Sequence, residues 1–213
     1  MEPIRFDPLT AADLDAAGAL STQAGWNQAP ADWRRLLDLC PGGCLAARSG
    51  GRLVGTATVA SYGSAVHWVG MVLVDPAERG RGLGTALLER AIALGKSRGG
   101  VLGLDATDLG RPLYLKMGFV DVAPIDRWSG LLRPAPEAGR VEFIDRFSFE
   151  QAAALDREAC GADRAPLLVH LLSEPDAMGW VVRDDGDRVA GYAILRPGRE
   201  RWHVGPVVAD ETA

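Results

Sequence analysis

Three glycines interleaved with two arginines, Arg79-Gly80-Arg81-Gly82-Leu83-Gly84-Thr85, follow an apolar run, Val72-Leu73-Val74, that is broken at Asp75-Pro76. Leu83, Leu87, Leu88, Ala91 and Leu94 then recur at helical spacing. The pattern reads as a strand, a glycine loop and a helix. Such a loop gathers backbone N–H groups at the positive end of a helix, where they can hold a pyrophosphate. Glycine lets the backbone reach positive φ and approach a ligand closely, and Arg79 and Arg81 add positive charge. A tight strand-to-helix turn with no ligand is the plain alternative, which the two arginines and the preceding strand disfavour.

The loop does not fit the Gly-x-Gly-x-x-Gly dinucleotide fingerprint, because Thr85 stands where a third glycine is required, and it lacks the Gly-Lys-Ser/Thr of a P-loop. Arg79-x-x-Gly82-x-Gly84 instead resembles the acyl-coenzyme A loop of the GNAT superfamily of N-acetyltransferases. A second stretch, Leu113-Tyr114-Leu115-Lys116-Met117-Gly118-Phe119, is similar to that family's Leu-Tyr-x-Lys-x-Gly-Phe. A helix to about Ser97, a Gly99-Gly100 stop and a strand over Val101–Ala106 fit between the two. The resemblance covers roughly residues 2–133.

The resemblance implies an α/β fold: a GNAT-like mixed central sheet flanked by helices. It also implies acetyl-CoA as cosubstrate, with no metal. The backbone of Val72, Leu73 and Val74 would pair with the pantetheine arm, and Arg79, Gly80, Arg81, Gly82, Leu83, Gly84 and Thr85 would hold the pyrophosphate. Tyr114 would give a proton to the leaving thiolate, and backbone N–H groups of the same strand would meet the developing oxyanion. Packing at the core rim is the other reading of Tyr114. The family's usual Asn is replaced by Thr107-Asp108, of which Thr107 can still hydrogen-bond the coenzyme.

The strand before Asp75 holds no carboxylate to act as base, which leaves His67 as the nearest titratable side chain. A lone His at a strand end is also commonly a surface or internally satisfied residue, and the base can be water or absent. On the acceptor side the candidates are Trp26, Asn27 and Tyr62. Trp26 suits stacking on a cationic or apolar acceptor, or simply anchoring its loop to the core. The acceptor is read as a primary amine of a small molecule or peptide. A non-catalytic CoA-binding regulatory module or a protein-interaction module is the rival class.

The 213-residue chain carries a net charge of −5, which argues against general nucleic-acid binding. No apolar stretch is long enough for a membrane span, and the opening residues do not read as a signal peptide. Cys40, Cys44 and Cys160 form no zinc pattern and read as reduced thiols of a cytoplasmic protein. A homodimer stays open.

Pro3–Phe6 predicts a first strand, and Thr10 caps a helix carrying Leu14, Ala17 and Leu20. A second short helix spans 31–39. Strands over Cys44–Arg48 and Leu53–Ser61 flank a Gly50-Gly51 turn, and Ala65–Val74 leads into the loop. Residues after Phe119 to about Leu132 alternate apolar and polar and are expected to finish the sheet. The first domain is thus 1–133, and residues 134–140 form a Pro/Gly-rich linker. Over 141–213 the chain begins again: Gly179–Ala193 matches Gly43–Ala57 without a gap, and Trp202–Asp210 echoes His67–Asp75. The offset of roughly 136 residues is the size of one domain. The helices starting at Ser148 and Asp163 would repeat the first two. This partial second copy stops where the first enters its phosphate loop. The pattern is expected of a truncated tandem protein, or of a half-domain packed on the first or on another subunit.

Overall fold

The computed structural model describes residues 2–131 and 140–210, in two units, Met1–Ile125 and Asp126–Ala213. The first unit holds β1 (Ile4–Pro8), α1 (Leu14–Gln23), α2 (Pro30–Leu39), β2 (Cys44–Ser49), β3 (Arg52–Tyr62), β4 (Val66–Val74), α3 (Leu83–Arg98), β5 (Val101–Leu104) and α4 (Arg111–Lys116). The strands form one sheet in the order β1-β2-β3-β4-β5, antiparallel except for the parallel β4–β5 pair.

β3 is the centre of this unit, buried from Leu53 to Val59. Its two faces look into different layers. Leu53 points with Cys44, Ala46 and Leu73 into a cluster closed by Ala17, Leu20 and Trp33 of α1 and α2. Val54, Ala57 and Val59 point with Ala47 and Val69 at Leu83, Leu87, Leu88 and Ala91 of α3. Gly55 permits this approach: a Cβ there would lie 2.9 Å from Leu87 Cδ1 and 3.0 Å from the Leu73 carbonyl. Truncating the fully buried Leu87 to Ala would cost about 2–5 kcal/mol.

Entry to α1 is fixed by charge. Asp13 is buried and accepts from the Thr10 N–H (2.8 Å) and, in a forked pair, from Arg48 (2.7 and 2.8 Å), which also reaches Asp7 (2.9 Å). Thr10 caps a 3₁₀ turn over Ala11–Asp13, so the α-helix begins three residues later than the cap alone suggests.

Residues 119–131 depart from expectation. They form no strand, and Val122, Trp128 and Leu131 are exposed at 93%, 90% and 94%. Alternation marks a strand only where another strand supplies the hydrogen bonds, and none of the described residues does so here. Among the described residues the sheet of this unit ends at β5. The predicted linker 134–140 lies outside the described residues except for Arg140.

The second unit holds β6 (Arg140–Phe143), α5 (Arg146–Cys160), α6 (Ala165–Leu172), β7 (Met178–Arg183), β8 (Val189–Arg196) and β9 (His203–Ala209), its strands antiparallel in the order β6-β7-β8-β9. α5 and α6 cover one face through Ala152, Leu168 and Leu171 against Val181, Tyr192 and Ile194. Beneath them the fully buried Asp156 accepts from Arg164 (2.6 and 3.0 Å) and from the Tyr192 hydroxyl. The match to the first sheet is not gap-free. Arg48 opposes Leu53 across β2–β3, and Arg183 opposes Val189 across β7–β8. The second turn is one residue longer, closed by the Asp184 N–H on the Arg188 carbonyl (2.9 Å), so β7 sits one residue out of the ungapped alignment. Trp180 and Val182 therefore lie opposite Ala193 and Gly191, with Phe143 and Val141 beyond them, on the face that, among the described residues, no helix of this unit covers. The Phe143 and Trp180 rings lie 5.7 Å apart there.

The Arg48 fork holds the Asp13 carboxyl down at about 2, against 3.8 for a free aspartate. A carboxylate depressed in the fold gives stability that is present above pH 4 and lost as pH falls toward 2. Asp13→Asn should lower the unfolding free energy at pH 7 by about 2 kcal/mol. It should also flatten the loss of stability between pH 4 and 2, as denaturant titrations across that range will show.

Candidate functional site

The site is built where β4 stops behaving as a regular strand. Across β3–β4, Thr58 opposes Gly70 and Thr56 opposes Leu73, so Met71 and Val72 together face the single residue Ala57. Met71 takes up the extra length with φ +48°, a left-handed conformation that a side chain rarely adopts. Thr56, completely buried, donates from Oγ1 to the Met71 carbonyl at 2.7 Å. On the other edge, the parallel pairing with β5 ends at Val69–Leu104. β4 thus continues through Val72, Leu73 and Val74 with no β5 residue beside it, leaving an edge that an extended ligand arm can pair with.

β4 runs straight into the glycine loop. Asp75 caps a 3₁₀ turn over Pro76–Glu78 by accepting from the Ala77 N–H (2.9 Å), and Arg52 holds the Asp75 carboxyl below the usual carboxylate range. Arg52 also reaches Glu78 (3.0 Å), whose other oxygen pairs with Arg81. Arg79 donates from Nε to the Val74 carbonyl (3.3 Å). Gly80 and Gly82 both have φ +76°, and a Cβ on either would project into open space, which is room for a ligand against the backbone. Gly82 is the N-cap of α3, so Leu83, Gly84 and Thr85 carry the unpaired N–H groups of its first turn. Gly84 does not share the expected positive φ: it is helical, and a Cβ there would make only ordinary contacts, 3.8 Å from Val74 and Leu113.

Tyr114 is half-buried on α4 and packs edge-on against Phe119, ring centroids 6.2 Å apart, in the cluster that includes Val72, Val74 and Leu104. Burial pushes its phenol above the ordinary tyrosine value. Thr107 starts that helix: its carbonyl accepts from Gly110 (2.9 Å) and Arg111 (2.8 Å), and its Oγ1 from Gly110 (3.2 Å).

The remaining candidates separate. Trp26 packs against the same α1–α2 cluster as Met71, with Asn27 beside it in the chain. Tyr62 closes β3 opposite Val66, far along the strand from the bulge. His67 is 1% exposed, with Nδ1 2.8 Å from Ser61 Oγ, which in turn accepts from Arg98 (2.8 Å). Four residues of strand, about 13 Å, separate it from Met71. It is enclosed in the core and is not brought to the bulge. Thr56, Met71 and Arg52 escaped the sequence reading. A bulge has no local signature in an apolar run, and Arg52 reads there as a hairpin residue. Among the described residues no His, Cys, Asp or Glu side chains are grouped to hold a metal ion, and no helix is long and apolar enough to cross a membrane.

Comparison with known proteins bears on both units. The profile of the Acetyltransferase (GNAT) family matches residues 15–119, and that of the Acetyltransferase (GNAT) domain matches residues 152–213. N-alpha-acetyltransferase RimI of Mycobacterium tuberculosis is 35% identical over 132 residues, 55% of this chain and 79% of that protein. Holothin acyltransferase of a Pseudoalteromonas species is 27% identical over 161 residues, 75% of this chain and 54% of that protein. The chain therefore spans about half the length of the latter. A Pyrococcus horikoshii protein described as an acetyltransferase shares the fold with a TM-score of 0.79 at 22% identity, over 99% of this chain and 73% of that one.

The three loop glycines should not respond alike to alanine. Gly80→Ala and Gly82→Ala force a side chain into the left-handed region and should each cost about 1–2 kcal/mol. Gly84→Ala, inside a helix with room for the methyl, should be neutral or stabilising by up to about 1 kcal/mol. Urea unfolding of the three variants checks the order.

Proposed function

The chain belongs to the GNAT acetyltransferase family, and from that premise we propose that its first unit transfers an acetyl group from acetyl-CoA directly to a primary amine of a small molecule or peptide. One observation carries the reading: the opened edge of β4 leads without interruption into the glycine loop, and Tyr114 packs in the cluster formed beneath that edge.

The residues fit the coenzyme. Positive-φ Gly80 and Gly82 leave the loop backbone bare, Arg79 and Arg81 supply positive charge, and the first turn of α3 supplies N–H donors through Leu83, Gly84 and Thr85. Val72, Leu73 and Val74 offer main-chain groups to the amide-bearing pantetheine arm. When bound, acetyl-CoA supplies an acyl group activated as a thioester. Strand N–H groups then oppose the negative charge that builds on its carbonyl oxygen as the amine attacks. Tyr114 gives its proton to the departing sulfur. A phenol held above its ordinary pKa is still protonated at neutral and moderately alkaline pH, the form an acid must have.

On the acceptor side, Trp26 and Asn27 lie in the α1–α2 loop, whose cluster includes Met71 of the bulge, and they border the amine. Tyr62 and His67 belong to the far end of β3–β4, so the base is a solvent water or the amine arrives uncharged. Residues 1–133 form the catalytic domain and 134–140 its linker. Residues 141–213 are a partial copy of the same fold.

Calorimetric titration of acetyl-CoA should show micromolar binding that Gly82→Glu abolishes. Tyr114→Phe should bind as before but lose about 10²–10⁴-fold in kcat for thiol release with a panel of amines. In the wild type the alkaline limb of the kcat profile should lie above pH 10, the free tyrosine value, and disappear in Tyr114→Phe. Binding with no turnover on any amine would favour a non-catalytic coenzyme A module, and no binding would sink the acyltransferase reading.

A further inference from the structure

The Thr56 hydroxyl is fully buried in the middle of β3, and its hydrogen bond of 2.7 Å goes to the carbonyl of Met71, the residue that carries the bulge. A trans peptide holds its C=O and the following N–H in opposite directions. Fixing the Met71 carbonyl on Thr56 therefore aims the Val72 N–H away from Thr56. Val72 lies past the last β4–β5 pair, Val69–Leu104, so no β5 residue stands beside it to claim that donor. We propose that Thr56 is a positioning residue for acyl transfer: its hydroxyl locks the Met71–Val72 peptide so that the Val72 N–H meets the acyl carbonyl oxygen. This inference rests on the acyltransferase reading of the same edge.

The second sheet carries the contrast. It too has a bulge, with Gly205 and Pro206 together facing Ile194. Proline has no N–H to aim. The residue that stands to Ile194 as Thr56 stands to Ala57 is Ala193, which has no hydroxyl, and the hydroxyl of the adjacent Tyr192 goes to Asp156 rather than to the neighbouring strand. Hydroxyl and donor are thus absent together at the second bulge and present together at the first.

The test uses the full chain, with Thr56→Val, which is nearly isosteric but has no hydroxyl, and Thr56→Ser, which keeps it. The probe is acetyl-CoA labelled with ¹³C at the thioester carbonyl, read by isotope-edited infrared spectroscopy, beside calorimetric binding of free CoA. In the wild type the bound carbonyl band should be narrow and at low frequency. Thr56→Val should move it up and broaden it, lower kcat about 10²-fold and leave CoA affinity within about 2-fold, and Thr56→Ser should restore both band and kcat. A wild-type band and kcat in Thr56→Val overturn the assignment and leave the acyltransferase reading intact. Loss of CoA binding in Thr56→Val that Thr56→Ser does not repair also overturns it, by making Thr56 a packing residue. Should Thr56→Val not fold, Thr56→Ala takes its place under the same outcomes. A folded wild type that does not bind acetyl-CoA takes both readings down.

Discussion

One extra residue in β4 organises the first unit. A regular antiparallel partner to β3 would keep every N–H and C=O in ladder bonds on both sides, and nothing would be left to bind. Placing Met71 and Val72 opposite Ala57 breaks that ladder at one point, and the break coincides with the end of the parallel pairing to β5. The strand bends and leaves its neighbour, and an edge opens inside a sheet that is otherwise closed. The left-handed Met71 is unfavourable by itself and persists because buried neighbours over-determine it: Thr56 from one strand, and the cluster of α1 and α2 from above.

The glycine loop depends on the same geometry from the other end. Its backbone must turn within a few residues from the direction of β4 to that of α3, whose apolar stripe then returns over the sheet it has just left. Gly55 lets α3 come close, and Gly80 and Gly82 let the chain reverse. Charge around the loop is arranged in pairs. Arg52 restrains Asp75 and Glu78, and Glu78 in turn restrains Arg81, so the loop is braced in a chain with an overall negative charge. Any anion brought to Arg81 would have to compete with Glu78, so its affinity would reflect that exchange rather than the full attraction of an unpaired guanidinium.

Much of this was legible in the amino acids. The Asp75-Pro76 break, the glycine spacing and the apolar stripe of α3 placed strand, loop and helix, because each is a local requirement with a local residue signature. Leu113–Phe119 announced α4 and Tyr114 by resemblance. What was not legible depends on partners far away in the chain. Val66–Val74 is apolar apart from His67, so nothing in it marks Met71 as the irregular residue, and Thr56 meets Met71 only through a strand fifteen residues on. His67, by its place at a strand end, reads as either a surface or an internally satisfied residue, and only Ser61 and Arg98, which come from a neighbouring strand and from α3, decide that it is enclosed. Residues 119–131 alternate as a strand does, yet alternation says which face is apolar and not whether an edge is there to pair with. The one-residue slip of β7 came from a turn that reads as equivalent but closes around Asp185, Gly186 and Asp187 instead of two glycines.

That slip changes the reading of the second unit. In the ungapped alignment Trp180 replaces Cys44 and would lie under the helices, where Val181 is in fact buried. In the observed register Trp180 lies beside Phe143 on the opposite face, the one α3 covers in the first unit. The two sheets thus share strand order, a bulge in the last antiparallel strand and a pair of helices on one side, and they differ in what lies at the bulge. The second spends its central hydroxyl on Asp156, and that aspartate is itself forked to Arg164, a buried network that ties α5 to α6 and to β8. A group committed to such a network cannot also orient a peptide on the neighbouring strand. The hydroxyl nearest the second bulge thus serves cohesion, while that of Thr56 in the first unit is left free to hold Met71.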